Sequence, residues 1–176
     1  MTDRIELKLE HRPDAWSTNE DRSISPYKRA EMVALWKQAS FLAIRKYRMH
    51  HPEDFDRQKL IVRGRVSPRG DKIAVFADVL PGKWIITAVI VFDTNRKRDP
   101  HNYCGTVLKA CIDGLVEARA FPDDTPPYIG HREPILLKDP TAIFRRSMIV
   151  SVRGTTMPRL ILERAEVQNA DTPVTS

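Results

Sequence analysis

The sequence lacks long apolar runs and any sign of a targeting segment. No run approaches the ~18–20 consecutive apolar residues that a membrane-spanning helix needs. The opening residues, Met1 to Arg4, do not have the basic-then-apolar layout of a secretory signal peptide. With 41% hydrophobic and 30% charged residues in 176, the composition is typical of a globular chain. These features predict a cytoplasmic location and no membrane partner.

The chain also contains only two cysteines, and neither a disulfide nor a zinc site is predicted from them. Cys104 and Cys111 fall seven positions apart in a predicted helix. That spacing separates their Cα atoms by roughly 10 Å at ~1.5 Å rise per residue, too far for a disulfide. A zinc site would need further Cys or His at short spacing. We therefore expect two small buried side chains.

Basic residues outnumber acidic ones by a modest margin. There are 29 Lys and Arg against 23 Asp and Glu, for a net charge of +6. An excess of this size is compatible with nucleic-acid binding but does not establish it. The clustering of charge is more informative than the sum, because acidic and basic groups concentrate in particular loops.

Periodicity predicts an α+β fold. The alternation from Ile5 to Leu9 indicates a first strand, and residues 14–22 are polar and indicate a loop. Ser25-Pro26 marks the start of a long helix, which we expect to end near Pro52. Its predicted buried face consists of Met32, Leu35, Trp36, Ala39, Leu42 and Ala43. With strands expected at 84–92, 128–137, 147–153 and 159–167, the fold predicted is a mixed sheet of about four to six strands with two main helices packed on one face.

We interpret residues 1–168 as a single domain and residues 169–176 as a flexible C-terminal tail. Residues 52–82 are a candidate insertion, and their local structure stays open. Two strands at 60–62 and 73–76 around a turn at 67–71 are one alternative. A helical continuation through 57–66 is the other.

The strongest pattern is a strand, a charged loop, a helix and an acidic loop. Trp84–Phe92 is apolar on both faces, which is typical of a central strand. It leads into Arg96-Lys97-Arg98-Asp99, a helix predicted over 103–118 and capped by Asn102, and then Asp123-Asp124. Catalytic groups tend to sit in loops that a rigid scaffold holds. Taken alone, each piece also has a structural explanation, as a solvated basic loop or an acidic turn.

This combination of residue types suits phosphodiester hydrolysis. Mg²⁺ prefers oxygen ligands and keeps several waters, so two or three carboxylates suffice to hold it. Nearby cations such as Lys109 neutralise phosphate charge, although a lysine four positions before Asp113 is also a common surface ion pair. A metal would also relieve the conflict between clustered carboxylates and DNA.

Three stretches, in this order, resemble the RusA family of Holliday junction resolvases. They are Arg98-Asp99-Pro100-His101-Asn102, Lys109-Ala110-Cys111-Ile112-Asp113-Gly114-Leu115, and Asp123-Asp124. The family pattern is roughly R-D-x-D-N, then K-x-x-x-D-x-L, then D-D. The resemblance is densest over residues 92–124, with a weaker similarity in the loop around Asn19.

The resemblance implies a homodimer that binds four-way DNA junctions and cuts them with Mg²⁺ or Mn²⁺. Asp99 and Asp124 match metal-binding aspartates, with Asp123 beside the second. Lys109 matches the lysine needed for cleavage, and Asp113 matches a structural aspartate. The residues expected to contact DNA are Arg96, Lys97, Arg98, Lys109, Asn19 and Arg22.

The chain departs from the family pattern in two places. His101 stands where the family has a second loop aspartate, and three additional residues lie between Asn102 and Lys109. A neutral imidazole can bind Mn²⁺ but suits Mg²⁺ poorly. His101 is therefore either a metal ligand or proton-transfer group, or a helix-start residue that contacts phosphate or solvent. A junction-binding protein without catalysis and an unrelated α+β protein remain as alternatives.

Overall fold

A computed structural model describes residues 2–9, 15–66, 72–92, 96–138 and 159–165. The main sheet has five strands and is mixed, as predicted. Its strands are β1 (Arg4–Lys8), β4 (Trp84–Phe92), β5 (Ile129–His131), β6 (Ile135–Lys138) and β7 (Arg159–Arg164). β7 lies antiparallel between β1 and β4, while β5 and β6 both pair parallel with β4. The α+β class predicted from the sequence is confirmed.

The central strand β4 is buried on both faces, as its apolar composition predicts. One face carries Ile86, Ala88 and Ile90, which pack into the main core together with β1, β7 and the helices. The other face carries Thr87 and Val89, which are also buried. Burial on both faces fixes the place of β4 and of its last residue, Phe92, in the fold.

The first long helix, α2 (Pro26–His50), begins where the sequence predicts. The Ser25 hydroxyl accepts from the Lys28 amide, and proline occupies the first turn. The predicted buried face is wrong in part, because Leu35 and Leu42 are 40% and 42% exposed. The residues that face the core are Met32, Trp36, Ala39, Ser40 and Ile44. The apolar face is therefore narrower than the periodicity of the sequence indicates.

The second helix starts earlier than expected and irregularly. One 3₁₀ turn, Pro100–Tyr103, is followed by a π-helical segment, Cys104–Leu108, and then by α3 (Lys109–Glu117). Asp99 caps this run, which corrects the assignment of the cap to Asn102. Cys111 is buried, Cys104 is only partly buried, and both are free thiols as predicted.

The two helices pack closely at one glycine. A methyl group at Gly114 would overlap the Ser40 hydroxyl and the Lys37 carbonyl, so only glycine permits this approach. The buried Ser40 hydroxyl donates to the Cys111 carbonyl at 2.9 Å across the same contact. This contact fixes the position of α3 and therefore of Lys109 and Asp113 on it.

Two further segments refine the predictions. Residues 52–82 contain the two-stranded alternative, β2 (Asp56–Val66) and β3 (Lys72–Val79), which form a separate antiparallel sheet. The polar loop at 14–22 contains a short helix, α1 (Thr18–Asp21), with a capping box between Ser17 and Glu20.

The predicted turn at 67–71, the strand at 147–153 and the tail at 169–176 lie outside the described residues. Within the described ranges, every helix is too short or too polar to span a bilayer.

Candidate active site

The charged loop lies at the carboxyl end of β4. Because β6 runs parallel to β4 and Phe92 is paired with Lys138, both strands end at the same edge of the sheet. A groove of about 370 Å³ opens there, lined by Phe92, Leu136 and Leu137 and by four cationic side chains. Those cations are Arg96, Lys97, Arg98 and Lys138. We call this the basic groove; its charge suits an anionic ligand.

The Arg98 guanidinium is held by contacts with Phe92 and Arg96. Its guanidinium lies 3.9 Å from the centroid of the Phe92 ring and donates to the Arg96 carbonyl at 3.0 Å. Tyr103 packs against the same ring, with centroids 5.6 Å apart. Burial raises the pKa of Tyr103, while the positive charge of Arg98 and a hydrogen bond to it act in the opposite direction. The first helical turn and the basic groove therefore share one packed contact.

Asp99 and His101 lie together with a carboxylate that the sequence did not single out. Asp99 Oδ1 accepts from the His101 amide at 3.0 Å, and His101 Nδ1 lies 3.2 Å from Glu133 Oε1. Burial raises the pKa of the Cys104 thiol, and the negative charges of Glu133 and Asp99 raise it further. Both carboxylates therefore lie near the same partly buried thiol. We call Asp99, His101 and Glu133 the histidine cluster.

Lys109 lies between two carboxylates. Its Nζ is 2.8 Å from Asp113 Oδ1, the pair predicted from the four-residue spacing, and 2.5 Å from Asp124 Oδ2. Asp123 supports the turn, because its Oδ1 accepts from the Asp124 amide at 3.0 Å. We call Lys109, Asp113 and Asp124 the lysine cluster.

Electrostatics within the lysine cluster is mutual. Hydrogen bonds to Asp113 and Asp124 raise the pKa of Lys109. The hydrogen bond from Lys109 and its positive charge lower the pKa of Asp124. The raised pKa of Lys109 and the lowered pKa of Asp124 both indicate an ion pair in which each partner is charged. The Asp124 carboxylate is therefore neutralised by a fixed ammonium group.

The segment with Asn19 and Arg22 lies beside the site. The Thr18 hydroxyl donates to the Asn102 carbonyl at 2.9 Å, and the Thr106 hydroxyl donates to the Trp16 carbonyl at 2.7 Å. These bonds tie α1 to the start of the second helix. Asn19 and Arg22 are exposed there. The structure thus places the segment with Asn19 and Arg22, where the family resemblance is weaker, next to the start of the second helix, where it is densest.

Sequence reasoning missed Glu133 and Lys138. Both fall in 128–137 or directly after it, a stretch predicted as one strand, whereas the structure has two short strands separated by residues 132–134. Pro134 was the available signal, because proline within a strand pattern ends or interrupts the strand. A break at that point would have placed Glu133 in a loop between two strands rather than inside one strand.

The donor set fits a hard cation in chemical type, since Asp99, Asp123 and Asp124 supply carboxylate oxygens. In the described part of the chain, however, no group of three or more His, Cys, Asp or Glu side chains is arranged to hold a metal ion. The four predicted ligands are divided between two clusters, with Asp99 and His101 in one and Asp123 and Asp124 at the other. Mg²⁺ commonly binds one or two carboxylates and completes its shell with water and substrate phosphate, which this division permits.

Comparison of the chain with protein-family models, with curated proteins and with solved structures finds no significant match.

Proposed function

We propose that this chain is a Mg²⁺- or Mn²⁺-dependent, structure-selective DNA endonuclease that acts as a homodimer on four-way junctions. The observation that carries the proposal is the lysine cluster. Lys109 and Asp113 come from the second motif of the RusA pattern, and Asp124 comes from the third. A carboxylate oxygen of each aspartate lies within 2.8 Å of Lys109 Nζ. A loop carrying Asp123-Asp124 would have many other ways to fold. The ordered motifs and this contact together favour a shared chemical role.

The surroundings of the cluster support a phosphate-containing substrate. The carboxylates that would hold the cation are Asp99, at the head of the same helical run, and Asp124, with Asp123 beside it. Because they belong to different clusters, the cation would have to lie between the two clusters to reach both. When bound, that cation would supply an activated water and stabilise the leaving oxygen. Lys109 can exchange a carboxylate for a phosphate oxygen, because both are anionic oxygen acceptors. The basic groove can hold the backbone on either side of the reacting phosphate.

The direct test is cleavage of a synthetic four-way junction with added Mg²⁺ or Mn²⁺. We expect paired nicks from the wild type and a loss of at least about 100-fold in Asp99→Asn and in Asp124→Asn, because each substitution removes a charged ligand. Asp3→Asn, an exposed aspartate on the approach to β1, is the matched control and should cut like the wild type. A wild type that binds junctions and cuts none with either metal contradicts the proposal.

A second candidate is a branched-DNA-binding protein that does not cut. Two observations favour it: His101 replaces the expected carboxylate, and the potential ligands lie in two clusters rather than one. Substituting His101→Asp separates the candidates. Gain of Mg²⁺-dependent cleavage in an inactive protein supports the second candidate, whereas a drop from wild-type cleavage shows that the histidine is used. A protein that neither binds nor cuts the junction would instead be an unrelated α+β protein.

A further inference from the structure

Besides the candidate site, the β2–β3 hairpin has a surface that is suited to binding a partner. It forms its own two-stranded sheet, separate from the five-stranded main sheet. Its base is anchored to the end of α2 and to the loop after α3. Phe55, just before β2, is buried under the Arg48 guanidinium, 4.8 Å from its ring centroid, and the Leu80 amide, just after β3, donates to the Ala120 carbonyl at 2.8 Å.

This anchoring connects the hairpin to the candidate site. Ala120 lies in the loop between α3 and β5, three residues before Asp123 and four before Asp124. Arg48 donates to the Ala118 carbonyl at 3.0 Å in the same loop. The hairpin therefore leaves the body of the protein beside the loop that carries the acidic pair.

One face of the hairpin is exposed throughout its regular part. The register places Lys59 opposite Phe76 and Ile61 opposite Ala74, with Arg57 opposite Asp78. All six are exposed, and Phe76 and Ile61 keep 65% and 60% of their surface accessible. On the other face, Ala77 and Val79 are buried. An exposed aromatic and an exposed isoleucine on one face of a ribbon are typical of a contact surface.

The charge of the hairpin indicates which partner fits. Residues 56–79 contain six Lys or Arg against three Asp. On the exposed face, the Arg57 guanidinium lies over the Phe76 ring at 5.7 Å, and Lys59 is directly opposite that ring in the register. Cations next to an apolar patch suit a polyanion with apolar edges. This face carries Arg57 and Lys59 against Asp78, so a second copy docked face to face would bring two net positive surfaces together, which disfavours a homodimer through this face.

We propose that the exposed face of the β2–β3 hairpin binds a duplex arm of the DNA substrate, with Arg57 and Lys59 on phosphates and Phe76 against the groove. This inference rests on the proposed function for the choice of substrate. A two-stranded ribbon fits the major groove of B-DNA, which is ~12 Å wide. The contact would hold one arm next to the acidic loop and so position the branch point near the lysine cluster.

The test compares two double variants that remove the same charge. Arg57→Gln with Lys59→Gln removes two cations from the hairpin, and Arg4→Gln with Lys8→Gln removes two exposed cations from β1. Binding to a labelled four-way junction and to a labelled linear duplex is measured by fluorescence anisotropy between about 50 and about 200 mM salt. Thermal melting checks that each variant is folded.

We expect the hairpin double variant to make the negative slope of log K against log salt shallower by about 2, since each lost phosphate contact accounts for ~0.9. The β1 double variant should keep the wild-type slope. Phe76→Ser should weaken binding about tenfold with an unchanged slope, because a packing contact releases no counterions.

Three outcomes overturn the inference: an unchanged slope in the hairpin variant, equal changes in both double variants, or a hairpin variant that binds DNA normally but dissociates to monomers in sedimentation. The result is separable from the nuclease proposal. Hairpin-dependent binding without cleavage keeps this inference and contradicts the endonuclease, whereas normal cleavage with normal binding in the hairpin variant contradicts this inference alone.

Discussion

The lysine cluster and the histidine cluster contain similar residues but differ in how they are held. Lys109 is fixed by two carboxylates at 2.8 and 2.5 Å, on a helix that packs against α2 through Gly114. His101 meets Glu133 at 3.2 Å, and those side chains are 76% and 62% exposed. The first cluster has its charges paired within the folded chain, while the second is open to solvent. We infer that a cation or phosphate would have to displace Lys109 from Asp124 at the first cluster, but could approach the second directly.

The largest effect is expected from removing the ammonium group that pairs the first cluster. Lys109→Met should lower junction cleavage by about 100-fold, because a fixed positive group near the reacting phosphate is lost. Junction binding should fall by only about tenfold or less, since one phosphate contact is removed. Single-turnover cleavage and anisotropy measure the two separately. Lys37→Met is the control, because Lys37 forms a similar pair with Glu117, at 2.6 Å, outside both clusters. Equal losses in both variants would contradict a role for Lys109 in cleavage.

The next effect concerns the scaffold beneath the first cluster. Gly114→Ala should destabilise the protein by about 1–3 kcal/mol, because the added methyl group overlaps the Lys37 backbone and the Ser40 hydroxyl. Gly105→Ala is a matched control in the same helical run, where an added methyl group meets no atom within 4 Å. It should be neutral or stabilising by up to about 1 kcal/mol. Urea unfolding gives both values, and a Gly114→Ala protein as stable as the wild type would show that the helices can separate at little cost.

The Asp124 pair should also give a pH-dependent stability. Lys109 lowers the pKa of Asp124 in the folded chain, so the pair contributes above the unfolded pKa of ~3.9 and is lost as pH falls through the folded value. Asp124→Asn should therefore cost less than about 1 kcal/mol at pH near 7, as for other exposed pairs. The difference from the wild type should shrink toward pH ~3. Urea titrations across this range measure it, and a difference that grows on acidification would contradict the assignment.

The smallest effect is expected in the histidine cluster. Glu133→Gln should change the free energy of unfolding by less than about 0.5 kcal/mol, because both partners are largely exposed. Urea unfolding with and without Mn²⁺ provides the measurement. Should this substitution abolish cleavage as strongly as Asp99→Asn, Glu133 would belong among the metal ligands and the contrast between the clusters would disappear.

Local spacing predicted part of both clusters, and long-range contacts supplied the rest. The Lys109–Asp113 pair follows from a four-residue separation on a helix. The Lys109–Asp124 contact spans fifteen residues and depends on how the loop after α3 folds back. Glu133 reaches His101 because β5 and β6 run parallel beside β4, and parallel pairing leaves no mark in the local sequence.

The same limit applies to the fold. The double-sided burial of β4 was evident from its composition, since every position is apolar or threonine. The exposure of Leu35 and Leu42 was not, because periodicity gives the direction of an apolar face but not how much surface the neighbouring elements cover. The sequence alone did not distinguish a strand from a helix over 57–66, because the strand that pairs with these residues was not known.

The π-helical segment at Cys104–Leu108 determines which way Lys109 points. A π turn contains more residues than an α turn, so it changes the rotational phase of everything after it by up to ~100° per additional residue. Lys109 is the first residue of the regular helix that follows. Lys109 therefore reaches Asp124 from a helix whose rotational phase is set by the wide turn before it. A regular α-helix over the same residues would present a different side at position 109 and would turn Lys109 away from Asp124.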